Sequence, residues 1–480
     1  MKAMSRVISR ILIVALLLAV VSVTTSAQDV QQVTAAAAAS IGEGENPTPA
    51  PQTDTFCCTK KYFLPAALNV LALELIPNYF NWNVSDDTTA VLSTTSWRRN
   101  IQRGFEWDPN NLQTNMFAHP YHGNVYFNAG RSNGYNFWES SMFAYAGSFI
   151  WEMFGENNLG AINDWAMTSV GGITIGEALH RAAIMVRNNE ARGAGRAFSE
   201  LGGFLLDPVG GFNRAWRGEM SKYGPNPENQ FPDRYRSSIT VGARTMSEGR
   251  LSSADPSTGY FEFRADYGDP MQDYAKPFDN FMINLQLNAD DASTIGVFQV
   301  HGGLWGRQLK RSDNAWHVFT VDQIYDYADN NAYEMGDMAF GATLRSRWRL
   351  SDNLQIGGMV QPNLAIVTAI SSEYGGFTGR SYDFGSGFGL RLAAALSGQG
   401  VDYLTVGYRG FFSHTLNGAK GNQIVHFAFA RARYRIWRGV GLTADYILYM
   451  RDSFYKDYPD IHRRNPELRL GLSFFFLDIN

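Results

Sequence analysis

From about Tyr235 onward, apolar side chains recur at every second position in stretch after stretch. A period of two fits β-strands whose two faces meet different surroundings. In "YFEFRADY", Phe261, Phe263, Ala265 and Tyr267 fall on one face and Glu262, Arg264 and Asp266 on the other. "FMINLQLN" sets Phe281, Ile283, Leu285 and Leu287 against Asn284, Gln286 and Asn288. "FGATLRSRWRL" sets Phe340, Ala342, Leu344 and Trp348 against Thr343, Arg345, Arg347 and Arg349. The pattern returns at Phe388 to Leu396, Leu404 to Phe412, His426 to Ile436, Leu442 to Met450 and Leu468 to Phe476. Weaker runs near Ile239, Val297, Val318 and Ile356 bring the expectation to about 12 strands of roughly ten residues, the length a tilted strand needs to cross hydrocarbon. "LNGAKGN", "SGQG" and "LSDN" supply turns between them.

Alternation does not say which face is outside; the first residues do. Lys2, Arg6 and Arg10 precede an apolar run from Ile11 to Val23 and the small residues Thr25, Ser26 and Ala27. That is the pattern of a secretory signal peptide over residues 1–27, too short to span a bilayer as a helix. Its loss takes the formal charge from −4 to −7, with no basic block, so nucleic acid is not an expected partner. Aromatic residues make up 14 % of the chain and charged residues only 18 %, below the roughly 25 % of soluble domains. No later segment holds 18 unbroken apolar residues. An exported chain of this kind is expected to place its apolar strand faces in lipid and its polar faces in a lumen, as a barrel of the bacterial outer membrane does. The adjacent Cys57 and Cys58 form no disulfide framework or zinc spacing and read as a vicinal disulfide or two idle thiols.

Residues 28–55, with "AAAAAS" and a Pro-rich stretch, read as a disordered linker. Residues 56–230 read as a helical domain and 231–480 as the barrel. "YFLPAALNVLALELIPNYF" has one Pro at a first turn and a second, Pro77, that is expected to end the helix. In the later helices Gly172 and Gly176 lie four apart, and Ser141, Ala144, Gly147 and Ser148 share a face, which lets helix backbones approach closely. In the barrel, the rows Arg345, Arg347, Arg349 and Arg431, Arg433, Arg435 suit an anion-selective lumen or, as the favoured reading, a lumen held together by pairing with carboxylates.

The helical region also carries a resemblance. Asn115, His119-Pro120-Tyr121-His122-Gly123, Tyr126, Phe127, Arg131-Ser132-Asn133-Gly134, Trp151-Glu152, Glu156, Ile162-Asn163-Asp164, Gly171-Gly172, Gly176-Glu177 and Arg181 resemble domain-of-unknown-function family 3943. The resemblance implies association with the outer membrane and brings no activity with it. The chain departs from the family pattern at Gly160 and Ala161, where Pro-Ser is common, so that loop lacks the stiffening of a proline.

The chemistry is therefore read from residue types. On a helix through Tyr145 to Glu156, Glu152 and Glu156 are expected one turn apart on one face. With His119, His122 and Asp164 they form a candidate catalytic centre suited to acid and base work, or to a divalent metal such as zinc or manganese that no specific motif indicates. Arg131, Ser132, Asn133, Glu177 and Arg181 are candidate binding residues. Each has a quiet alternative: a turn at His119-Pro120, a backbone bond for His122, an N-cap at Asn163-Asp164, a Glu177–Arg181 helix pair, a helix stop at Ser132-Asn133-Gly134. The whole is an α+β chain, an N-terminal helical domain followed by an antiparallel transmembrane β-barrel. The helical domain is expected to be periplasmic or plug-like, and the expected role is structural or organising in the cell envelope. The alternatives are an envelope-lipid hydrolase or acyl-transfer enzyme acting through the His/Glu/Asp centre and, more weakly, a porin. Expected partners are outer-membrane lipid, an envelope lipid substrate in the enzymatic reading, and the barrel-assembly machinery during biogenesis.

Overall fold

The computed structural model describes residues 60–83, 91–227, 230–252, 254–290, 294–375, 380–398 and 400–479. The expected signal peptide, the linker and the Cys57–Cys58 pair lie outside them. The chain divides into two compact units, a helical one up to Asp108 and over Gln113–Phe231, and a barrel formed by Pro109–Leu112 with Pro232 onward.

The helical unit contains α1 (Phe63–Asn83), α2 (Thr94–Arg103), α3 (His119–Arg131), α4 (Phe137–Ile150), α5 (Ile162–Ala166), α6 (Gly172–Val186), α7 (Gly193–Leu206) and α8 (Pro208–Trp216). Short π-helical turns at Thr114–Ala118, Trp151–Gly155 and Met167–Gly171 join α3, α4 and α6 to their neighbours. Helix α1 corrects one expectation: it continues past Pro77 to Asn83. Close packing of α3 on α6 follows from glycine. A Cβ on Gly123 would lie 1.7 Å from the Thr168 carbonyl oxygen, and one on Gly172 would lie 2.4 Å from the Gly123 carbonyl carbon. Any side chain there would push the helices apart.

The barrel strands are β1 (Tyr235–Met246), β2 (Ser257–Tyr267), β3 (Phe281–Asn288), β4 (Ile295–Arg311), β5 (Ala315–Asp329), β6 (Glu334–Ser351), β7 (Leu354–Ser371), β8 (Tyr382–Gly398), β9 (Val401–Asn417), β10 (Gly421–Trp437), β11 (Val440–Tyr455) and β12 (Ile461–Ile479). Each pairs antiparallel with its neighbours in sequence, and β1 closes on β12 with Val241 opposite Leu472 and Ala243 opposite Leu470. Closure leaves no edge of unpaired N–H and C=O groups. Most strands exceed the expected ten residues, β12 reaching 19.

Burial shows which face is which. Leu390, Leu392, Leu404, Val406, Leu442, Tyr446, Leu468, Leu470 and Leu472 are exposed, while Glu262, Asp326, Asp337, Arg391, Arg409, Asp445, Glu467 and Arg469 are buried. Soluble proteins bury the first kind and expose the second. This barrel is inverted: apolar outside, charged within, the polarity of a transmembrane barrel.

Side chains cross the interior in one layer, beside a lumenal cavity lined by Glu262, Arg264, Thr405, Arg409 and Arg431. His301 of β4 lies 2.9 Å from Asp326 of β5, and Arg391 of β8 and Arg409 of β9 reach across to the same carboxylate; Arg409 also pairs with Asp337 of β6. Beside this charged layer, Ile324, Ala339, Ala365, Phe411, Val425 and Ile447, from six strands, form one buried apolar cluster. Arg345 pairs with Asp322 at 3.1 Å, and Arg431 with Glu262 at 2.8 Å and Asp445 at 2.7 Å. For these two the pairing reading of the arginine rows holds. Arg347 and Arg349 instead line an open recess with Asp269, Gln308 and Arg311.

Replacing Asp326 by Ala leaves Arg391 and Arg409 facing each other with one carboxylate fewer. The expected loss is about 3–5 kcal/mol, read as a lower temperature for the heat-induced mobility shift of the folded barrel on gels.

Candidate functional site

Site geometry in the helical unit begins with an isolated parallel bridge between Glu106 and Ala161. The Glu106 N–H donates to the Gly160 carbonyl at 2.8 Å, and the Ile162 N–H donates to the Glu106 carbonyl at 2.9 Å. The loop that lacks the family's proline is thus held by backbone bonds. Two residues beyond Glu106, the Asp108 N–H donates to Asn163 Oδ1 at 2.9 Å. This pins Asp108 beside the start of α5, where the Asn163 amide also donates to Asp164 Oδ1 at 2.6 Å. Asn163 is therefore not the N-cap that the sequence suggested. Ala161 occupies that position, and Asp164 stands in the first turn, near the positive end of the helix.

His119, the first residue of α3, brings Nε2 to 3.4 Å from Asp164 Oδ2. Asp108, His119 and Asp164 each offer one ligand atom, all within 4.8 Å of one another, and they are the one such group among the described residues. The His119 imidazole is pushed down to about 3 by burial and by the neighbouring His122, so it is neutral at physiological pH. Asp164 is held well above the usual carboxylate range by burial and then by the charges of Asp108 and Glu152. Glu152 behaves likewise, through burial and then Glu156, although the Ala161 N–H donates to its Oε2 at 2.7 Å. Burial pushes the nearby Glu74 up to about 8. The charges that act most strongly on Glu152 and Asp164 are other carboxylates.

The remaining candidates separate from this cluster. Glu156 is not one helical turn from Glu152: α4 ends at Ile150, a π turn spans Trp151–Gly155, and Glu156 is extended at φ −130°. The wider π turn shifts the register, and Glu156 turns back to accept from Trp151 Nε1 at 2.9 Å. His122 takes the quiet role. Pro77 has no N–H to offer the Leu73 carbonyl four residues back in α1, and His122 Nε2 lies 3.2 Å from that oxygen. As the Nε2–H tautomer it replaces the bond that proline removes, which is why α1 runs on past Pro77. Its ring stacks on Tyr126 with centroids 4.4 Å apart and meets the edge of Trp151 at 4.9 Å.

Arg131, Glu177 and Arg181 form a closed ion cluster, with Nε atoms 2.8 Å from the two Glu177 oxygens. Burial alone would raise Glu177, but the two guanidinium groups hold it down to about 2. Ser132 Oγ donates to the Asn128 carbonyl at 2.6 Å and accepts from Asn213 at 2.7 Å, while Asn133 donates to Ala129 and Asn69. Gly134 at φ +87° completes the turn. These five residues tie α3 to α1, α6 and α8. Sequence reading missed Asp108, Glu74 and the His180–Asp207 pair at 2.9 Å. Asp108 gave no signal, since it lies in an irregular segment and meets its partners only in the fold.

A closed, inverted, 12-stranded antiparallel barrel preceded by a helical unit defines a transmembrane β-barrel protein with an added α-helical domain. The helical part carries the resemblance read from the sequence: residues 104–209 match the family described as "Domain of unknown function (DUF3943)". Among solved structures, the chain is similar to the NanC porin (11 % identity, 49 % of this chain and 98 % of that one, TM-score 0.27). It is also similar to the KdgM porin (10 %, 49 % and 98 %, TM-score 0.24) and to the outer membrane channel DcaP of Acinetobacter baumannii (8 %, 50 % and 96 %, TM-score 0.22). No curated protein matches the chain in sequence.

His122→Ala removes the donor to Leu73 and a packed ring, with an expected cost of about 2–4 kcal/mol. Burial depresses His122 from 6.5 to about 4, so its stabilising contribution is full above pH 6.5 and is lost as pH falls toward 4. The stability gap between wild type and His122→Ala, measured by urea unfolding of the helical unit within the full chain, should narrow across that window.

Proposed function

We propose that this protein is a non-conducting outer-membrane β-barrel that holds a helical module in the bacterial cell envelope, with a structural or organising role. The observation that carries the reading is the layer of side chains that crosses the lumen. Side chains from β4, β5, β6, β8 and β9 meet through Asp326 and Asp337, and the adjacent apolar cluster is buried. A conducting pore keeps a continuous water-filled path, and direct contacts between facing walls interrupt one. A porin reading therefore has less support than a sealed anchor. The export signal expected at residues 1–27 and the apolar outer face both favour the outer membrane as the site.

The surface of the helical unit supports a lipid-side location for it as well. Helix α1 has one charged residue, Glu74, and that residue is buried, while Leu64, Leu68, Leu71, Leu75 and Tyr79 are exposed. An apolar stripe this long favours an interface with lipid. No helix of the described residues is long and apolar enough to cross a membrane.

Wild-type protein reconstituted into planar bilayers is expected to give no conductance steps, and a double substitution that thins the seal, Arg409→Ala with Phe411→Ala, is expected to give transient openings. Stable, ohmic steps from the wild type would overturn the sealed-barrel reading in favour of a channel.

A further inference from the structure

The helical unit contains a cluster that its packing does not explain. In the Arg131–Glu177–Arg181 group every buried charge meets its opposite. Around Asp164 the arrangement is different: Asp108, His119 and Asp164 each turn one ligand atom toward the others, all within 4.8 Å. We propose that Asp108, His119 and Asp164 form a binding site for one divalent first-row transition cation.

The geometry is that of a site with its outer shell in place. Asn163 connects two of the ligands, accepting from the Asp108 N–H and donating to Asp164 Oδ1. That leaves Asp164 Oδ2 directed toward His119. The His119 Nε2 is shielded from solvent and has no hydrogen-bond partner, although it lies 3.4 Å from that oxygen. Two groups that approach without bonding to each other are arranged for a third between them. Outer-shell bonds of the Asn163 kind fix ligand orientation, and their loss typically lowers affinity by roughly 10–100-fold. One nitrogen and two carboxylates suit Zn²⁺, Mn²⁺ or Fe²⁺ better than Ca²⁺ or Mg²⁺, which take all-oxygen shells.

The test uses the full-length protein in detergent, stripped with a chelator and dialysed. Titration with Zn²⁺ followed by calorimetry, and with Mn²⁺ followed by electron paramagnetic resonance, is expected to show one saturable site. Pulsed resonance of the Mn²⁺ form is expected to show coupling to one histidine nitrogen. His119→Gln and Asp164→Asn should each weaken binding by at least about tenfold, while Glu139→Gln, at an exposed position outside the cluster, should leave it unchanged. Heat-induced mobility and circular dichroism report whether each variant folds. Should Asp164→Asn fail to fold, the nitrogen coupling in the wild type and the His119→Gln titration decide the matter. No saturable site, a site without nitrogen coupling, or affinity unmoved in folded His119→Gln would overturn the proposal.

Discussion

The pairing of β1 with β12 is the constraint on which the rest of the barrel depends. In hydrocarbon, each unpaired backbone N–H or C=O costs several kcal/mol, and an open sheet would carry two full edges of them. Closure removes both edges. Once the sheet is closed, side chains must divide between lipid and lumen by position alone, because successive residues point to opposite faces. Glu467 and Arg469, on odd positions of β12, are thereby committed to the interior, and Leu468, Leu470 and Leu472 to the outside.

That commitment creates the second problem, buried charge, and the two units meet it differently. Within the barrel the carboxylates are distributed among guanidinium groups: Asp326 serves Arg391 and Arg409, and Glu467 serves Arg244 at 2.5 Å and Arg469 at 2.7 Å. Such pairs contribute little net stability over apolar packing, but removing one partner is costly, so they fix the register and the layer of side chains that crosses the interior. The helical unit follows the same rule at Glu177, while Asp108, His119 and Asp164 turn ligand atoms toward one another. That local arrangement, and not the histidine-rich segment as a whole, sets one place in the unit apart.

Much of the barrel was legible in the sequence because its signal is short-range: a period of two at Phe388 to Leu396 or Leu442 to Met450 needs no knowledge of the partner strand. The strand count, the turns and the pairing of Arg345 and Arg431 follow from it. Less of the site was legible, for three physical reasons. The π turn at Trp151–Gly155 leaves no composition signal, so Glu156 was placed on the wrong face. The fate of Pro77 depended on His122, which supplies from another helix the hydrogen bond that proline lacks. Asp108 joins the cluster through the Glu106–Ala161 bridge, a contact across 55 residues of chain that no local pattern announces. The segment His119 to Ser141 thus divides into structural members, His122, Arg131, Ser132 and Asn133, and one member, His119, that faces Asp108 and Asp164.

The central claim is the inversion of the barrel, and site-directed spin labelling in native-like vesicles tests it most directly. With Cys57 and Cys58 replaced by Ser, single cysteines at Leu390, Leu392, Leu404 and Val406 carry the label on the exposed face, and one at Thr405 carries it beside the lumenal cavity. The account predicts that the first four collide readily with dissolved oxygen and hardly at all with an aqueous nickel chelate, with Thr405 shielded from oxygen in lipid. Ready collision of the first four with the nickel chelate would place that face in water and contradict the transmembrane barrel.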